Sequence, residues 1–228
     1  MIKRLYYIIL QRLYVYMKKN KPCQGKVYMF HNVDGDQDIY SISRENFEVF
    51  LRYLNTHKKI VDIGTMIEEK DPDNVVISFD DVYESVFLNA YPLLKEMGVP
   101  FYLFVANEYL DREGYLKTQQ LKQILSDSRA IVGSHRYEHK LSRFEEKEQL
   151  EDDFRRSKTE LEDQFGIKID TLAFPYGSIY ACSQRDIGLA EQYFDYILMT
   201  YALPYNGEYG NILPRININN RIFEREMK

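Results

Sequence analysis

Two acidic residues and two histidines follow apolar runs in this chain, and together they could bind a metal ion. Asp80 and Asp81 come directly after one apolar run, and His135 and His139, four residues apart, come directly after another. An apolar run that ends in charged residues is typical of a buried parallel strand at its carboxyl end, where ligands bind in α/β folds. A carboxylate oxygen and two imidazole nitrogens are common ligands of catalytic zinc. The pattern therefore predicts a metal-dependent hydrolase.

A plainer interpretation has to be weighed, because charged residues make up 29% of the chain. Other acidic pairs, such as those at 68–69 and 152–153, lie in polar stretches, where we expect solvent to satisfy them. The pair at 80–81 instead follows a strand pattern, where an unpaired charge is costly unless a cleft or a cation meets it. The two histidines alone could be surface residues, but the chain has only four. We therefore favour one shared site.

Length and composition are those of one globular domain. The 228 residues are 45% hydrophobic and carry a net charge of −5, so nucleic acid is not an expected partner. Cys23 and Cys182 have neither zinc-finger nor paired spacing, so we expect free thiols and a reducing compartment.

The N-terminal segment, residues 1–25, is basic and amphipathic and precedes the predicted domain at 26–228. Its first 21 residues contain six Lys or Arg residues and no acidic residue. The apolar runs at 5–10 and 13–17 are too short to span a bilayer, and no signal-peptide pattern is present. Two interpretations stay open: a helix lying on an anionic membrane surface, or a first helix packed across one end of the domain. We expect a cytoplasmic protein, with peripheral membrane contact through residues 1–21 as a hypothesis.

Apolar periodicity and capping residues predict an alternation of strands and helices. Strands are predicted at 26–30, 60–63, 75–79, 99–105, 130–134, 170–174, 195–200 and 212–218. Helices are predicted after Ser43, at 85–97, at 118–125, from a capping box at Ser142 and Glu145 up to Gly166, and at 186–194. This alternation is typical of a parallel sheet, open or closed.

Four short motifs occur in the order and spacing of a known family. They are Ser78-Phe-Asp-Asp81, Gly133-Ser-His-Arg-Tyr-Glu-His139, Leu172-Ala-Phe-Pro-Tyr-Gly177 and Leu213-Pro-Arg-Ile216. Together they resemble the polysaccharide deacetylases of the NodB-homology family, carbohydrate esterase family 4, over residues 26–218. The resemblance implies an α/β fold, a distorted (β/α) barrel of about seven parallel strands. It also implies hydrolysis of N-acetyl groups, or occasionally O-acetyl groups, from a glycan.

The same resemblance implies roles for the four residues of the first pattern. Asp81, His135 and His139 would hold a divalent metal ion, with Zn²⁺ as the first choice and Co²⁺ or Ni²⁺ as alternatives. Asp80 would be the catalytic base and take the proton of the attacking water, whose pKa a bound ion lowers to about 7. The expected substrate is an acetylated amino-sugar glycan: a polysaccharide, an oligosaccharide or a lipid-linked sugar.

A tight turn in the third motif is the natural place for oxyanion stabilisation. In Pro175-Tyr176-Gly177 the backbone N–H of Tyr176 is the preferred donor. The rings of Tyr176, Tyr137 and Tyr83 could wall a sugar pocket. Any single tyrosine among the twenty in the chain is, however, more often a core or surface residue.

Three positions depart from the family pattern in ways that bear on the groove. Val82 stands where the first motif usually has glycine or another small residue, and Arg136 stands where the second has serine or threonine. Both could reshape the groove. Ala173 occupies the place of an arginine that often positions the catalytic aspartate. Arg215 is the expected replacement, with a salt bridge that closes the barrel as its alternative role.

The usual general acid is also missing, since no histidine follows His139. An amine leaves poorly unless it is protonated. His31, at the end of the first predicted strand, is the expected substitute, and its alternative role is a ring hydrogen bonded at the top of that strand. An ester substrate needs protonation less, so O-deacetylation stays open.

Three functional interpretations remain from the sequence. The leading one is a metal-dependent N-deacetylase of an amino-sugar glycan. The second is a catalytically weak or silent relative that acts as a glycan-binding or assembly protein, which the departures at Val82 and Ala173 favour. The third is an unrelated metal hydrolase on a similar barrel that acts on a small amide. The intact pair of Asp80 and Asp81 argues for the first, because a silent site needs no base beside its metal ligands.

Overall fold

The computed structural model of the chain describes residues 2–18, 20–35 and 39–228. Within these residues, nine parallel strands form a single sheet. The strands are β1 (Lys26–Phe30), β2 (Lys59–Ile60), β3 (Asn74–Asp80), β4 (Phe101–Val105), β5 (Ala130–Ser134), β6 (Thr171–Ala173), β7 (Tyr196–Met199), β8 (Ile212–Pro214) and β9 (Ile216–Asn217).

The last strand segment closes this sheet into a barrel. The strand order is β8-β7-β6-β5-β4-β3-β1-β9, with β2 paired to β3. β8 and β9 follow each other in the chain with only Arg215 between them, yet β8 pairs with β7 and β9 pairs with β1. The segment 212–217 therefore bonds to both edges of the sheet. Counted as one strand, it completes a ring of seven among the described residues, and the predicted (β/α) barrel is confirmed.

Helices connect the strands, as the alternation predicted. They are α1 (Ile2–Lys18), α2 (Arg44–His57), α3 (Ile63–Glu69), α4 (Tyr91–Met97), α5 (Thr118–Asp127), α6 (Lys147–Phe165), α7 (Gln184–Ala190) and α8 (Phe223–Glu226). A π-helical turn (Val86–Ala90) leads into α4. Ser43 caps α2 by accepting the N–H of Asn46 at 3.2 Å. Gly98 and Gly166 end α4 and α6 with left-handed backbone.

One predicted strand is shorter than the sequence pattern suggested. The run at 60–63 contributes only Lys59–Ile60 to the sheet, and Ile63 is already the first residue of α3. The reason is local, because Asp62 caps this helix and its carboxylate accepts the N–H of Thr65 at 2.9 Å. The other predicted strands and helices are present with differences of a few residues at their ends, except that the last strand is interrupted at Arg215.

The predicted capping box at Ser142 and Glu145 is wrong. Residues Ser142–Phe144 form a 3₁₀ turn, and α6 begins only at Lys147. Both side chains instead bond to the guanidinium of Arg136, at 3.2 Å for the Ser142 hydroxyl and 2.6 Å for the Glu145 carboxylate. The guanidinium of Arg136 is preferred to the backbone N–H groups of a helix end, because a hydrogen bond to a charged group is stronger than one to a neutral N–H.

The alternation of side chains along each strand decides which residues reach the inside of the barrel. On β1, Tyr28 and Phe30 point outward and pack on α2 against Phe50 and Phe47, each with ring centroids 5.2 Å apart. The inward positions form a separate apolar cluster that includes Val27, Val76, Tyr102, Phe104, Ala173, Leu198 and Leu213. Because the period is two, the inward positions continue to polar residues at the carboxyl end of the barrel. Asp80, His135 and Arg215 occupy such positions.

The barrel interior is closely packed just below these polar residues. A Cβ on Gly133 would lie 2.4 Å from the ring of Phe104 and 2.5 Å from the hydroxyl of Thr171, so only glycine fits there. The guanidinium carbon of Arg215 lies 5.4 Å from the centroid of the Phe104 ring. The ring of Phe104 thus fills the barrel interior directly below the polar residues.

Candidate active site

Three side chains from two strand ends meet as a candidate metal site. Asp81 follows β3, while His135 and His139 lie on the loop after β5. The Asp81 Oδ1 atom is 3.4 Å from His135 Nε2 and 3.1 Å from His139 Nε2. The ligand atoms of all three residues lie within 4.8 Å of one another. The structure therefore brings together the three residues that the sequence suggested as metal ligands.

The hydrogen bonding of these residues suits a divalent cation. His135 Nδ1 lies 2.7 Å from the carbonyl oxygen of Ala173, so this nitrogen carries the proton and Nε2 directs a lone pair toward Asp81. Among the described residues, the buried Asp81 Oδ1 has no hydrogen-bond donor. A buried carboxylate oxygen without a donor is unfavourable unless a positive ion meets it. Two imidazoles and one carboxylate fit Zn²⁺ or a similar ion.

Asp80 lies beside this site and is bound by Arg215. The two guanidinium NH groups donate to the two carboxylate oxygens at 2.5 and 2.7 Å, and both residues are buried. Asp80 Oδ2 is 3.8 Å from His135 Nε2. Burial alone would raise the pKa of Asp80, but the charge and the two hydrogen bonds of Arg215 outweigh burial and lower the pKa below its usual value. Asp80 is therefore an ionised carboxylate next to the candidate metal site.

Arg215 fills both roles that the sequence left open for it. It pairs with Asp80, as the arginine of the family pattern does from the position that Ala173 occupies here. It also lies at the junction of β8 and β9, where the barrel closes. Its N–H donates to the carbonyl of Met199 on β7 at 2.7 Å. One residue thus contributes both to closure of the barrel between β8 and β9 and to the ion pair that holds Asp80.

A strained turn allows two adjacent acids to face the same site. Neighbouring residues in a strand point to opposite faces, but the backbone reverses after Asp80, with φ of 60° at Asp81 and 48° at Val82. The Val82 N–H donates to the Asp80 carbonyl at 2.7 Å. This left-handed backbone explains why the family pattern favours glycine at position 82. For valine it costs roughly 1–3 kcal/mol, which burial of the side chain offsets by a similar amount.

Comparisons with known proteins agree with this geometry. The family model described as polysaccharide deacetylase matches residues 67–191. The chain belongs to this family. It is 25% identical over 209 residues to the poly-beta-1,6-N-acetyl-D-glucosamine N-deacetylase of Staphylococcus aureus (strain MSSA476), over 83% of this chain and 71% of that protein. It is 22% identical over 169 residues to the YxkH protein of Bacillus subtilis (strain 168), over 71% of this chain. The chain spans only 60% of the length of YxkH.

Solved structures share the fold of this polysaccharide deacetylase chain. IcaB from Ammonifex degensii superposes with a TM-score of 0.80 at 22% identity, covering 91% of this chain and 97% of that one. The deacetylase PplD from Streptococcus pyogenes, solved in complex with acetate, gives a TM-score of 0.77 at 16% identity, covering 89% and 97%. At these identities the likeness concerns the fold alone.

The loop that carries both histidines of the candidate metal site is anchored to α6. Arg136 has φ of 67° and turns its fully buried side chain away from the site. Its Nε donates to Asp153 at 3.0 Å, and the same carboxylate accepts the backbone N–H groups of Tyr137 and Glu138, both at 3.1 Å. The expectation that Arg136 reshapes the groove is therefore wrong. Its function in the structure is to fix the path of the loop that ends at His139.

The side chain of Tyr137 also points away from the candidate metal site. Its backbone is drawn toward α6 by Asp153, and its ring lies against the guanidinium of Arg156, with 3.5 Å between the guanidinium carbon and the ring centroid. The prediction that Tyr137 walls a sugar pocket is corrected. The left-handed residue before it reverses the direction that simple alternation would give.

The candidate site opens into a cleft of about 600 Å³. Asp80, Asp81, His135 and His139 line it together with the aromatic residues His31, Tyr40, Tyr83, Tyr176 and Tyr180. The predicted position of Tyr83 on the wall agrees with the structure, where its ring stacks on Tyr115 with centroids 5.0 Å apart.

The turn after β6 presents a backbone donor to this cleft. Tyr176 has φ of 63° and is 54% exposed, and its ring meets that of His139 edge to face with centroids 4.8 Å apart. Within the described part of the chain, the N–H of Tyr176 donates to no protein acceptor. Pro175 is buried beneath the turn. At Gly177 a Cβ would lie 2.7 Å from the backbone nitrogen of Thr200, so the turn requires glycine. The placement agrees with the oxyanion role predicted for Tyr176.

His31 and Asn217 complete the polar lining near Asp80. The ring of His31 packs on Tyr40 at 5.1 Å, and its buried Nδ1 has no partner among the described residues. Burial lowers the pKa of His31, so its imidazole is neutral at pH 7. Asn217 was missed in the sequence, although it stands two residues after Arg215 and hence on the same inward face. Its buried Oδ1 is also without a partner among the described residues.

Replacement of Arg215 tests its support of Asp80. In Arg215→Met, Asp80 stays buried without its cation, so we expect the free energy of unfolding to fall by about 3–5 kcal/mol. Burial then raises the pKa of Asp80, and the acidic limb of the activity profile moves to higher pH. Urea unfolding and kcat/KM against pH measure both effects, with the exposed Arg155→Met as control. An unchanged pH profile in a folded Arg215→Met protein would contradict the proposed support.

Replacement of Asp153 tests the anchoring of the histidine loop. Asp153→Asn removes the charge that binds Arg136 and places an amide donor against backbone N–H groups, so we expect Zn²⁺ affinity to fall about 10- to 100-fold although Asp153 binds no metal. Competition with a chromophoric chelator measures this. The neighbouring Asp152→Asn is the matched control, because Asp152 is exposed and forms a surface ion pair with Arg155. Equal affinity in the two folded variants would refute the anchoring role.

Proposed function

We propose that this chain is a metal-dependent deacetylase that hydrolyses N-acetyl groups of an amino-sugar glycan. The observation that carries the proposal is an ionised Asp80, clamped by Arg215, beside the triad of Asp81, His135 and His139 in one cleft. A base adjacent to three metal ligands, but not one of them, is what amide hydrolysis with an activated water needs. Membership of the polysaccharide deacetylase family supports the class of substrate.

The residues of the cleft divide the reaction among them. A divalent ion held by Asp81, His135 and His139, with Zn²⁺ as the first choice, would supply Lewis-acid polarisation of the acetyl carbonyl and of the water. Asp80 accepts the proton of the water as its oxygen attacks the carbonyl carbon. The N–H of Tyr176 donates to the oxygen on which negative charge develops. Collapse of the tetrahedral species then breaks the C–N bond and releases acetate.

The leaving amine requires a proton at this last step. His31 is the imidazole that the cleft provides for it, on the same lining as Asp80. Since burial keeps His31 neutral at pH 7, it must receive the proton during the reaction before it donates it. The proton that Asp80 takes from the water is the one available. His31 thus passes one proton from the base to the nitrogen.

The aromatic lining favours a sugar as substrate. The rings of Tyr40, Tyr83, Tyr176 and Tyr180 surround the polar centre, and flat apolar rings pack well on the faces of pyranose sugars. The S. aureus relative is named for poly-beta-1,6-N-acetyl-D-glucosamine. An N-acetylglucosamine oligomer is therefore the first substrate to assay.

Loss of the base should abolish turnover without loss of metal. We expect Asp80→Asn to reduce kcat for acetate release from an N-acetylglucosamine oligomer by at least about a hundredfold. Its metal content after loading with Zn²⁺ should equal that of the unmodified protein, because Asp80 is not one of the three ligands. The exposed Asp73→Asn serves as control. If the unmodified protein binds Zn²⁺ but releases no acetate from any amide or ester, it is a silent relative and the proposal fails.

Substrates with different leaving groups distinguish a proton-donating role of His31 from a purely structural one. In His31→Gln we expect deacetylation of the amide substrate to fall by at least about a hundredfold, because the amine can no longer be protonated. Hydrolysis of p-nitrophenyl acetate should change far less, since p-nitrophenolate leaves without a proton. His57→Gln, in which the histidine lies on α2, is the matched control. Equal losses on amide and ester would assign His31 a structural role.

A further inference from the structure

Helix α1 binds the barrel with one face and leaves an apolar face exposed. On the inner face, the side chain of Gln11 donates to the carbonyl of Thr200 at 3.0 Å and accepts the N–H of Ile179 at 3.3 Å. Tyr14 packs on Tyr201 with ring centroids 5.3 Å apart. A surface helix normally directs its polar side to water. Here the hydrogen-bonding Gln11 faces the protein instead.

The outer face of α1 is a continuous apolar stripe. Leu5, Ile9, Leu13 and Met17 are spaced by four residues and therefore lie along one side of the helix. Their exposed fractions are 59, 49, 52 and 67%. Four large apolar side chains in a row, each about half exposed or more, form a patch of the kind that marks an interaction surface. We name it the α1 stripe.

Charge identifies the surface that this stripe suits. The first 21 residues contain six Lys or Arg residues and no acid, in a chain whose net charge is −5. An apolar helix face with cationic flanks binds the headgroup region of an anionic bilayer. A second copy of the chain is a poorer occupant, because a symmetric contact through the stripe would bring two strongly basic segments together. Within the described residues, no helix is long and apolar enough to cross a membrane.

The helix also forms part of the wall of the cleft. Tyr7, Ile8 and Gln11 line it together with polar residues that include Asp80 and His139. Tyr7 is fixed there by the guanidinium of Arg143, whose carbon lies 4.6 Å from the ring centroid. The inner side of α1 is thus in the site while its outer side is exposed. Contact of the stripe with a bilayer would place the cleft next to the lipid headgroups.

We propose that the α1 stripe binds the headgroup region of an anionic membrane and holds the cleft at the lipid surface. Its consequence, which rests on the proposed function, is that the deacetylase acts on glycan presented at a membrane. Residues 5–17 supply the apolar contact. Lys18 pairs with Glu208, so the attraction to anionic lipid comes from the other basic residues of the segment. Binding therefore weakens as salt screens the charges.

Tryptophan fluorescence gives a direct test, because the chain contains no tryptophan. Leu13→Trp places a probe on the stripe, and Val49→Trp places the matched control on α2, where the exposed fraction is also 52%. With vesicles of phosphatidylcholine and phosphatidylglycerol, the emission of the probe at position 13 should shift to shorter wavelength and be quenched by brominated acyl chains. The probe at position 49 should not respond. An unresponsive probe at position 13 would overturn the proposal.

A second variant separates membrane binding from folding and from catalysis. In Ile9→Ser/Leu13→Ser/Met17→Ser, the fraction that floats with anionic vesicles should fall at least about tenfold, whereas Val49→Ser/Leu88→Ser should bind normally. Acetate release from a soluble oligosaccharide should be the same in both, so a failure of the proposed function is seen separately. Unchanged flotation of the triple variant would overturn the proposal. So would light scattering that shows dimers of the unmodified chain, without vesicles, that the triple variant abolishes.

Discussion

The buried ion pair between Arg215 and Asp80 is the interaction on which the rest of the site depends. Moving two charges out of water costs several kcal/mol for each ion, and only good geometry repays this cost. Two hydrogen bonds of 2.5 and 2.7 Å join the planar guanidinium to both carboxylate oxygens, which is the arrangement that arginine provides and lysine does not. Asp80 can stay ionised inside the barrel because Arg215 is there.

The position of Arg215 connects this chemistry to the topology. It separates β8 from β9, and the segment it interrupts bonds to both edges of the sheet. The family pattern places an arginine on the strand that here ends with Ala173, and the small side chain at 173 leaves the barrel interior to Arg215. Ala173 still contributes its carbonyl, which orients His135 at 2.7 Å. In this chain, therefore, β6 supplies a backbone acceptor to the site, and Arg215 supplies the positive charge.

Strained backbone is concentrated at the same end of the barrel. Asp81, Val82, Arg136 and Tyr176 all have positive φ without being glycine, and they lie on the loops after β3, β5 and β6. Such conformations persist only where the surroundings determine them. Val82 is fully buried and its carbonyl accepts the N–H of Leu116 at 3.0 Å, while Asp153 and Glu145 bind Arg136. The barrel and α6 thus shape the candidate metal site through the protein's own contacts.

These turns also explain how much of the site could be predicted from the sequence. Asp80, Asp81 and His135 were predictable because they follow strand patterns, and strand ends of a parallel sheet share one edge. The orientation of Tyr137 was not, since the left-handed residue before it breaks the alternation on which such a prediction rests. The start of α6 was misplaced because Glu145 could satisfy either a backbone N–H or a buried Arg136, and only the fold decides between them.

The cleft consequently has two parts that differ in how firmly they are held. The reacting centre is built on barrel strands, above a floor of Phe104 that tolerates no added methyl group at Gly133. Another part of the cleft wall is α1, which is held by the hydrogen bonds of Gln11 and by ring contacts such as Tyr14 on Tyr201. No sequence motif predicted that α1 lines the cleft, because its residues reach the site only through the packing of the helix on the barrel. Groups bound by few contacts open at a lower free energy than a barrel core. The reacting centre is therefore built by the barrel strands and their loops, and α1 adds Tyr7, Ile8 and Gln11 to the wall of the same cleft.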